Sequence, residues 1–101
     1  MIPAYAAPTL KQLRRRKAEI LRIAVSRGAR NVRVFGSVAR EEANAGSDID
    51  LLVELEPDRG ALDLSELILD LEDALGRRVD VVEIKRHSAL AERIMRESVP
   101  L

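Results

Sequence analysis

Apolar positions recur along this chain with two different periods. From Leu10 to about Arg27, Leu13, Ile20, Leu21 and Ala24 fall at helical spacing among charged residues, and Thr9 with Gln12 makes a capping-box pattern, so the stretch reads as one amphipathic helix. Leu64, Leu67, Ile68, Leu71 and Leu75 repeat in the same way as a core-facing stripe, with Asp63 and Glu66 at the start of their helix and Gly76 at its end. A last helix runs from a Ser88 cap to about Glu97, with Leu90, Ile94 and Met95 as its apolar positions. Between these helices, Val32 to Phe35, Ser47 to Leu55 and Arg78 to Glu83 read as strands. Gly36-Ser37 is a tight turn out of the first strand into a short helix over about Val38 to Ala43. The predicted order is helix, strand, helix, strand, helix, strand, helix. Residues 1–8 are expected to be a flexible arm before a single domain spanning 9–101.

Strand alternation decides which side chains share a face. In Ser47 to Leu55, Ile49, Leu51, Val53 and Leu55 point one way, and Asp48, Asp50, Leu52 and Glu54 the other. Asp48 and Asp50 are then roughly 7 Å apart along the strand, a separation suited to holding a divalent cation between them. Without a cation, two like charges this close are unfavourable. In the third strand Val79 and Val81 flank Asp80 on the opposite face, so Asp80 can project beside the other two if the strands are neighbours. Gly36 lets the backbone approach a phosphate, and the following helix N-terminus offers free N–H donors. Ser37 adds a hydroxyl and a cap.

Val34-Phe35-Gly36-Ser37-Val38-Ala39-Arg40 followed by Ser47-Asp48-Ile49-Asp50-Leu51-Leu52-Val53 resembles the DNA polymerase β superfamily of nucleotidyltransferases. The likeness runs over roughly residues 10 to 100, and the short length resembles the minimal nucleotidyltransferase (MNT) domains, the MntA-like antitoxins paired with HEPN toxins. It implies an α/β (α+β) nucleotidyltransferase fold with a small three-stranded mixed sheet flanked by four helices. It also implies Asp48, Asp50 and Asp80 as catalytic metal ligands for two Mg²⁺ ions, and Gly36, Ser37 and Arg40 as nucleotide-binding residues. For Arg40, a phosphate contact and pairing with Glu41, Glu42 or Glu54 both remain open. The implied reaction is transfer of AMP from ATP to a tyrosine of a HEPN-domain toxin in a hetero-oligomer. Two alternatives share the motif: a non-catalytic antitoxin that occludes its partner, and an aminoglycoside-type small-molecule nucleotidyltransferase. The clustered carboxylates argue against the first and the lack of a second domain against the other.

Other phosphate and metal motifs fit worse. A P-loop needs a lysine that Gly36-Ser37-Val38-Ala39-Arg40 lacks, and an EF-hand needs oxygen ligands where Leu51, Leu52 and Val53 stand. With one histidine and no cysteine a protein-only zinc site is not expected. His87 reads as a surface residue of a polar connection.

Composition narrows the picture further. The 101 residues suit one small domain, and 47% hydrophobic content supplies a core of Leu, Ile, Val and Ala. No window approaches the roughly 20 apolar residues of a membrane span, and residues 1–8 do not resemble a signal peptide. The absence of cysteine is compatible with a reducing cytosol, the expected location. Net charge is zero but unevenly spread, at +9 over residues 1–40, −11 over 41–83 and +2 over 84–101. The acidic middle contains the proposed metal ligands, whose charge a cation would offset. On the first helix, Lys11, Arg14, Arg15, Arg16, Lys17 and Arg22 form either a solvated face or a surface for an acidic partner. Nucleic acid suits it less well, because no aromatic residues interleave to stack on bases.

Overall fold

A computed structural model describes residues 2–3, 5–84 and 89–101. Its elements are α1 (Leu10–Arg15), α2 (Lys17–Ser26), β1 (Ala29–Phe35), α3 (Gly36–Ala39), β2 (Ile49–Leu55), α4 (Ala61–Leu75), β3 (Val79–Glu83), α5 (Ala89–Glu97) and β4 (Val99–Pro100). The strands form one mixed sheet in the order β3-β2-β1-β4, with β2 antiparallel to β1, β3 parallel to β2 and β4 antiparallel to β1. The α/β reading holds, with a fourth strand that the pattern did not predict. Two residues are too few to show a period, and β4 exists because β1 offers it a free edge.

The principal core lies on one face of this sheet. Val34, Ile49, Leu51, Val53, Val79 and Val81 meet Leu13, Ile20 and Ala24 of the amino-terminal helices and Leu67, Leu71 and Leu75 of α4. These are the stripes the periodicity marked. The single helix expected over residues 10–27 is instead two, broken at Arg16. The break sets Arg14 and Arg15 in the last turn of α1, where the helix dipole favours cations. The Arg16 guanidinium meanwhile reaches Glu19 and the Ala74 carbonyl of α4. The Thr9–Gln12 capping box forms as expected. Helix α4 begins earlier than predicted, at Ala61, with Asp63 in its first turn accepting from the Gly60 N–H at 3.1 Å. That bond and Arg59 hold the Asp63 carboxyl below the usual carboxylate range. At the other end Gly76 takes the left-handed conformation, φ 71°, that favours glycine.

Strand β2 is more deeply buried than simple alternation suggests. Leu52, placed by the sequence pattern on the polar face with Asp50 and Glu54, is fully buried and lies outside the principal core cluster. The other face of the sheet is therefore partly covered. Helix α5 packs on β1, and Ala91 is its buried residue, whereas Leu90, one of the apolar positions of the predicted helix, is exposed. Arg33 of β1, paired with Leu52 across the ladder, ties down the end of α5 through Ser98: its Nε donates to the Ser98 hydroxyl at 2.6 Å and an Nη donates to the Ser98 carbonyl at 3.2 Å. The Ser88 cap and His87 fall outside the described residues.

Within the stretch expected to be a flexible arm, the described residues make contacts with the domain. Ile2 is buried and its N–H donates to the Leu75 carbonyl at 3.0 Å, while Tyr5 is left exposed. Among the described residues, no helix is long and apolar enough to cross a membrane.

Burial of Leu52 distinguishes a covered sheet face from an open one. Leu52→Ala should lower unfolding free energy by about 2–5 kcal/mol. An exposed leucine would change it by only about 0.5 kcal/mol. Urea unfolding of the two proteins decides between these outcomes.

Candidate active site

The site begins where β1 ends. Phe35 pairs with Asp50 across the β1–β2 ladder, so the next residue, Gly36, turns directly over the Asp50 side chain. Gly36 has φ +70°, and a Cβ there would meet the Asp50 carboxylate, with its Cγ at 3.0 Å and an oxygen closer still. Both the backbone angle and the space demand glycine at this position. Ser37 follows in α3, half-buried.

Helix α3 is shorter than the predicted span of 38–43, at one turn. Its end is a Schellman motif: Glu42 N–H donates to the Ser37 carbonyl at 2.9 Å and Glu41 N–H to that of Val38 at 3.2 Å, with Glu41 left-handed at φ 59°. The anion-attracting dipole expected of a longer helix is correspondingly reduced. Arg40 is the cap residue just beyond α3. Its Nε pairs with Glu42 at 3.1 Å, one of the acidic partners anticipated for it, and its charge also favours the ionised form of Asp50.

The three aspartates come from three positions. Asp50 is half-buried in β2, and Asp80 stands opposite it in register on the parallel strand β3, exposed, with Val79 and Val81 buried on the other face. Asp48 lies just before β2 rather than within it, and its Oδ1 accepts from Arg78 Nε at 3.2 Å. Charge crowding registers on Asp50, whose carboxyl is pushed above its ordinary range first by burial, then by Asp80 and Asp48. The sheet register thus sets Asp80 beside Asp50 and Asp50 under Gly36, and Asp48, just before β2, is near enough for its charge to act on Asp50. An open depression of about 300 Å³ adjoins Asp48, lined by residues 45–48 and 76–78.

Arg77 and Arg78 were not singled out in the sequence. Arg78 contacts Asp48 directly, and Arg77 holds the connection that carries it. An arginine pair between a helix-ending glycine and a strand has no period of its own, so only the fold reveals it.

Among the described residues, no three acidic, histidine or cysteine side chains close into a metal cage. Magnesium rarely needs one, since it binds through one or two carboxylates and completes its shell with substrate phosphates and water. Three carboxylates on one rim, one of them destabilised as an anion by burial and then by the others, make a donor set that suits such an ion.

Known proteins resemble this chain in sequence and fold. The family model described as "Nucleotidyltransferase domain" matches residues 14–100. Protein adenylyltransferase MntA of Thermococcus cleftensis is 42% identical over 73 residues, covering 71% of this chain and 74% of that one. A solved structure of the minimal nucleotidyltransferase type superimposes with a TM-score of 0.81 at 46% identity, over 93% of this chain and 97% of that one. A chain in a complex of a tri-AMPylated Shewanella oneidensis HEPN toxin with an MNT antitoxin has the same fold, with a TM-score of 0.65 at 20% identity over 86% and 69% of the two chains. With a glycine turn, register-matched aspartates and a family match over nearly its whole length, the chain belongs to the nucleotidyltransferase domain family.

Proposed function

We propose that this protein transfers AMP from ATP to a tyrosine hydroxyl of a HEPN-domain toxin and acts as its antitoxin. The observation that carries the reading is the placement of Asp48, Asp50 and Asp80 around the Gly36 turn. In the reaction the acceptor oxygen attacks the α-phosphate in line, the bond to the β-phosphate bridging oxygen breaks, and pyrophosphate leaves. The hydroxyl proton passes to Asp80, the most exposed of the three carboxylates. The Gly36 and Ser37 backbone receives the triphosphate, and Arg40 exchanges Glu42 for a phosphate oxygen. Asp48, Asp50 and Asp80 would hold magnesium, which when bound offsets the charge of the phosphates. The relatives with adenylyltransferase and HEPN–MNT names support the substrate and the partner. A cytoplasmic location fits the lack of cysteine.

A direct test incubates the protein with the gene product encoded beside it, magnesium and each nucleoside triphosphate, followed by intact mass spectrometry. Addition of AMP units from ATP is expected, with none from Asp48→Asn. Neutralisation of the partner with no mass change, undiminished in Asp48→Asn, would favour occlusion and sink the proposal.

The same charges oppose stability. Because the folded-state pKa of Asp50 lies above its unfolded value, the folded state binds the extra proton, and stability falls as pH rises from the ordinary carboxylate range through the folded pKa. Asp50→Asn removes that penalty. It should raise the urea midpoint of the ligand-free protein at neutral pH, and the gain should shrink toward about pH 4, where an ordinary aspartate begins to protonate. The variant should transfer no AMP. A lower midpoint at neutral pH would show that burial and crowding of the Asp50 charge do not limit stability here.

A further inference from the structure

Arg77 lies between Gly76, which ends α4, and β3, and its guanidinium bridges two segments remote in sequence. One Nη donates to the carbonyls of Pro3 at 3.1 Å and Ala6 at 3.0 Å, and the other to those of Ala45 at 2.7 Å and Ser47 at 3.0 Å. Its Nε is buried without a partner among the described residues. Four carbonyls, two from the amino-terminal arm and two from the connection leading into Asp48, therefore converge on one planar fork.

The connection has internal order as well. Asn44 N–H donates to the Ser47 hydroxyl at 2.9 Å, Gly46 N–H to the Asn44 side chain at 2.8 Å, and Ser47 N–H to the Asn44 carbonyl at 3.0 Å. Those bonds shape the turn but do not fix its place against the sheet. Arg77 supplies that tie, because its own backbone is set by the end of α4 and the start of β3. Ile2 anchors the other side through its burial and its bond to Leu75.

We propose that Arg77 is a positioning residue: by clamping the Ala45 and Ser47 carbonyls to the arm, it sets where Asp48 stands and so how tightly the site takes a divalent cation. The proposal rests on the reading of Asp48 as a cation ligand. Arg77 acts through the Ser47 peptide without itself touching a phosphate. A lysine keeps the charge but not the fork, since its ammonium is a compact point donor that cannot span both pairs of carbonyls.

The test uses the full chain with Arg77→Ala and Arg77→Lys. Amide hydrogen exchange at residues 44–48 is read against Leu51 and Val53 in β2, and Mn²⁺ uptake is titrated in the presence of a non-hydrolysable ATP analogue. In Arg77→Ala, exchange at 44–48 should accelerate while β2 keeps its protection. Half-saturating Mn²⁺ should rise about ten-fold or more, as for loss of a residue that orients a metal ligand. AMP transfer should recover at saturating metal. Arg77→Lys should show the same local change with a smaller shift, and it decides the matter if the alanine variant loses protection throughout. Wild-type exchange at 44–48 in the folded lysine variant, or unchanged Mn²⁺ uptake in both variants, overturns the proposal. If the wild-type protein itself takes up no Mn²⁺, the reading of Asp48 fails. Faster local exchange in the variants would then still support the clamp.

Discussion

Burial of β2 on both faces is the constraint from which the rest of the molecule follows. Ile49, Leu51 and Val53 fill the principal core and Leu52 is buried on the opposite side, so the strand cannot slip by a residue without exposing several apolar side chains. A strand fixed in this way fixes its neighbours. Its antiparallel pairing with β1 puts Phe35 opposite Asp50 and Gly36 over the carboxylate, and its parallel pairing with β3 puts Asp80 in register with Asp50. Hydrophobic burial thus holds together three negative charges that would otherwise move apart. The energy of that crowding is borne by a core made almost wholly of aliphatic residues.

Much of this was legible because it depends on period. The face of β3 on which Asp80 stands follows from Val79 and Val81, and the α4 stripe from its leucines. What escaped the pattern is tertiary. Leu52 has the alternation of an exposed residue, and its burial comes from packing that the strand's own pattern does not record. Asp48 continues the alternation by one residue past the point where pairing begins, so it stands in a connection steered by Arg77 and Arg78. Strand β4 is two residues long, and the division of the first helix at Arg16 follows no glycine or proline. The helix after Gly36-Ser37 ends early because Glu41 adopts a left-handed conformation, which sequence favours only for glycine, asparagine or aspartate.

The basic amino-terminal segment shows how a charge pattern can have a third meaning besides solvation or partner binding. Arg14 donates to the carbonyls of Pro100 and Leu101, Arg16 to Ala74, and Arg27 to Glu66 and Asp70 of α4. Each ties one element to another. Lys11, Arg15, Lys17 and Arg22 are exposed and keep the original alternatives.

In a chain with no disulfide and only two aromatic residues, these guanidinium forks do work that a larger protein would leave to its core. An exposed ion pair contributes little, about 0–1 kcal/mol. Backbone carbonyls are different acceptors, because a donor that takes them fixes the path of the chain itself. Ala45 and Ser47 lie in a connection, residues 44–47, of small side chains none of which is fully buried. A planar donor that reaches two or four such carbonyls orders the segment without requiring it to bury apolar surface. That allows the acidic rim to stay polar and open to solvent while its parts are still held in place. Precision at this site therefore comes from arginine geometry on the outside of the fold and leucine packing within it.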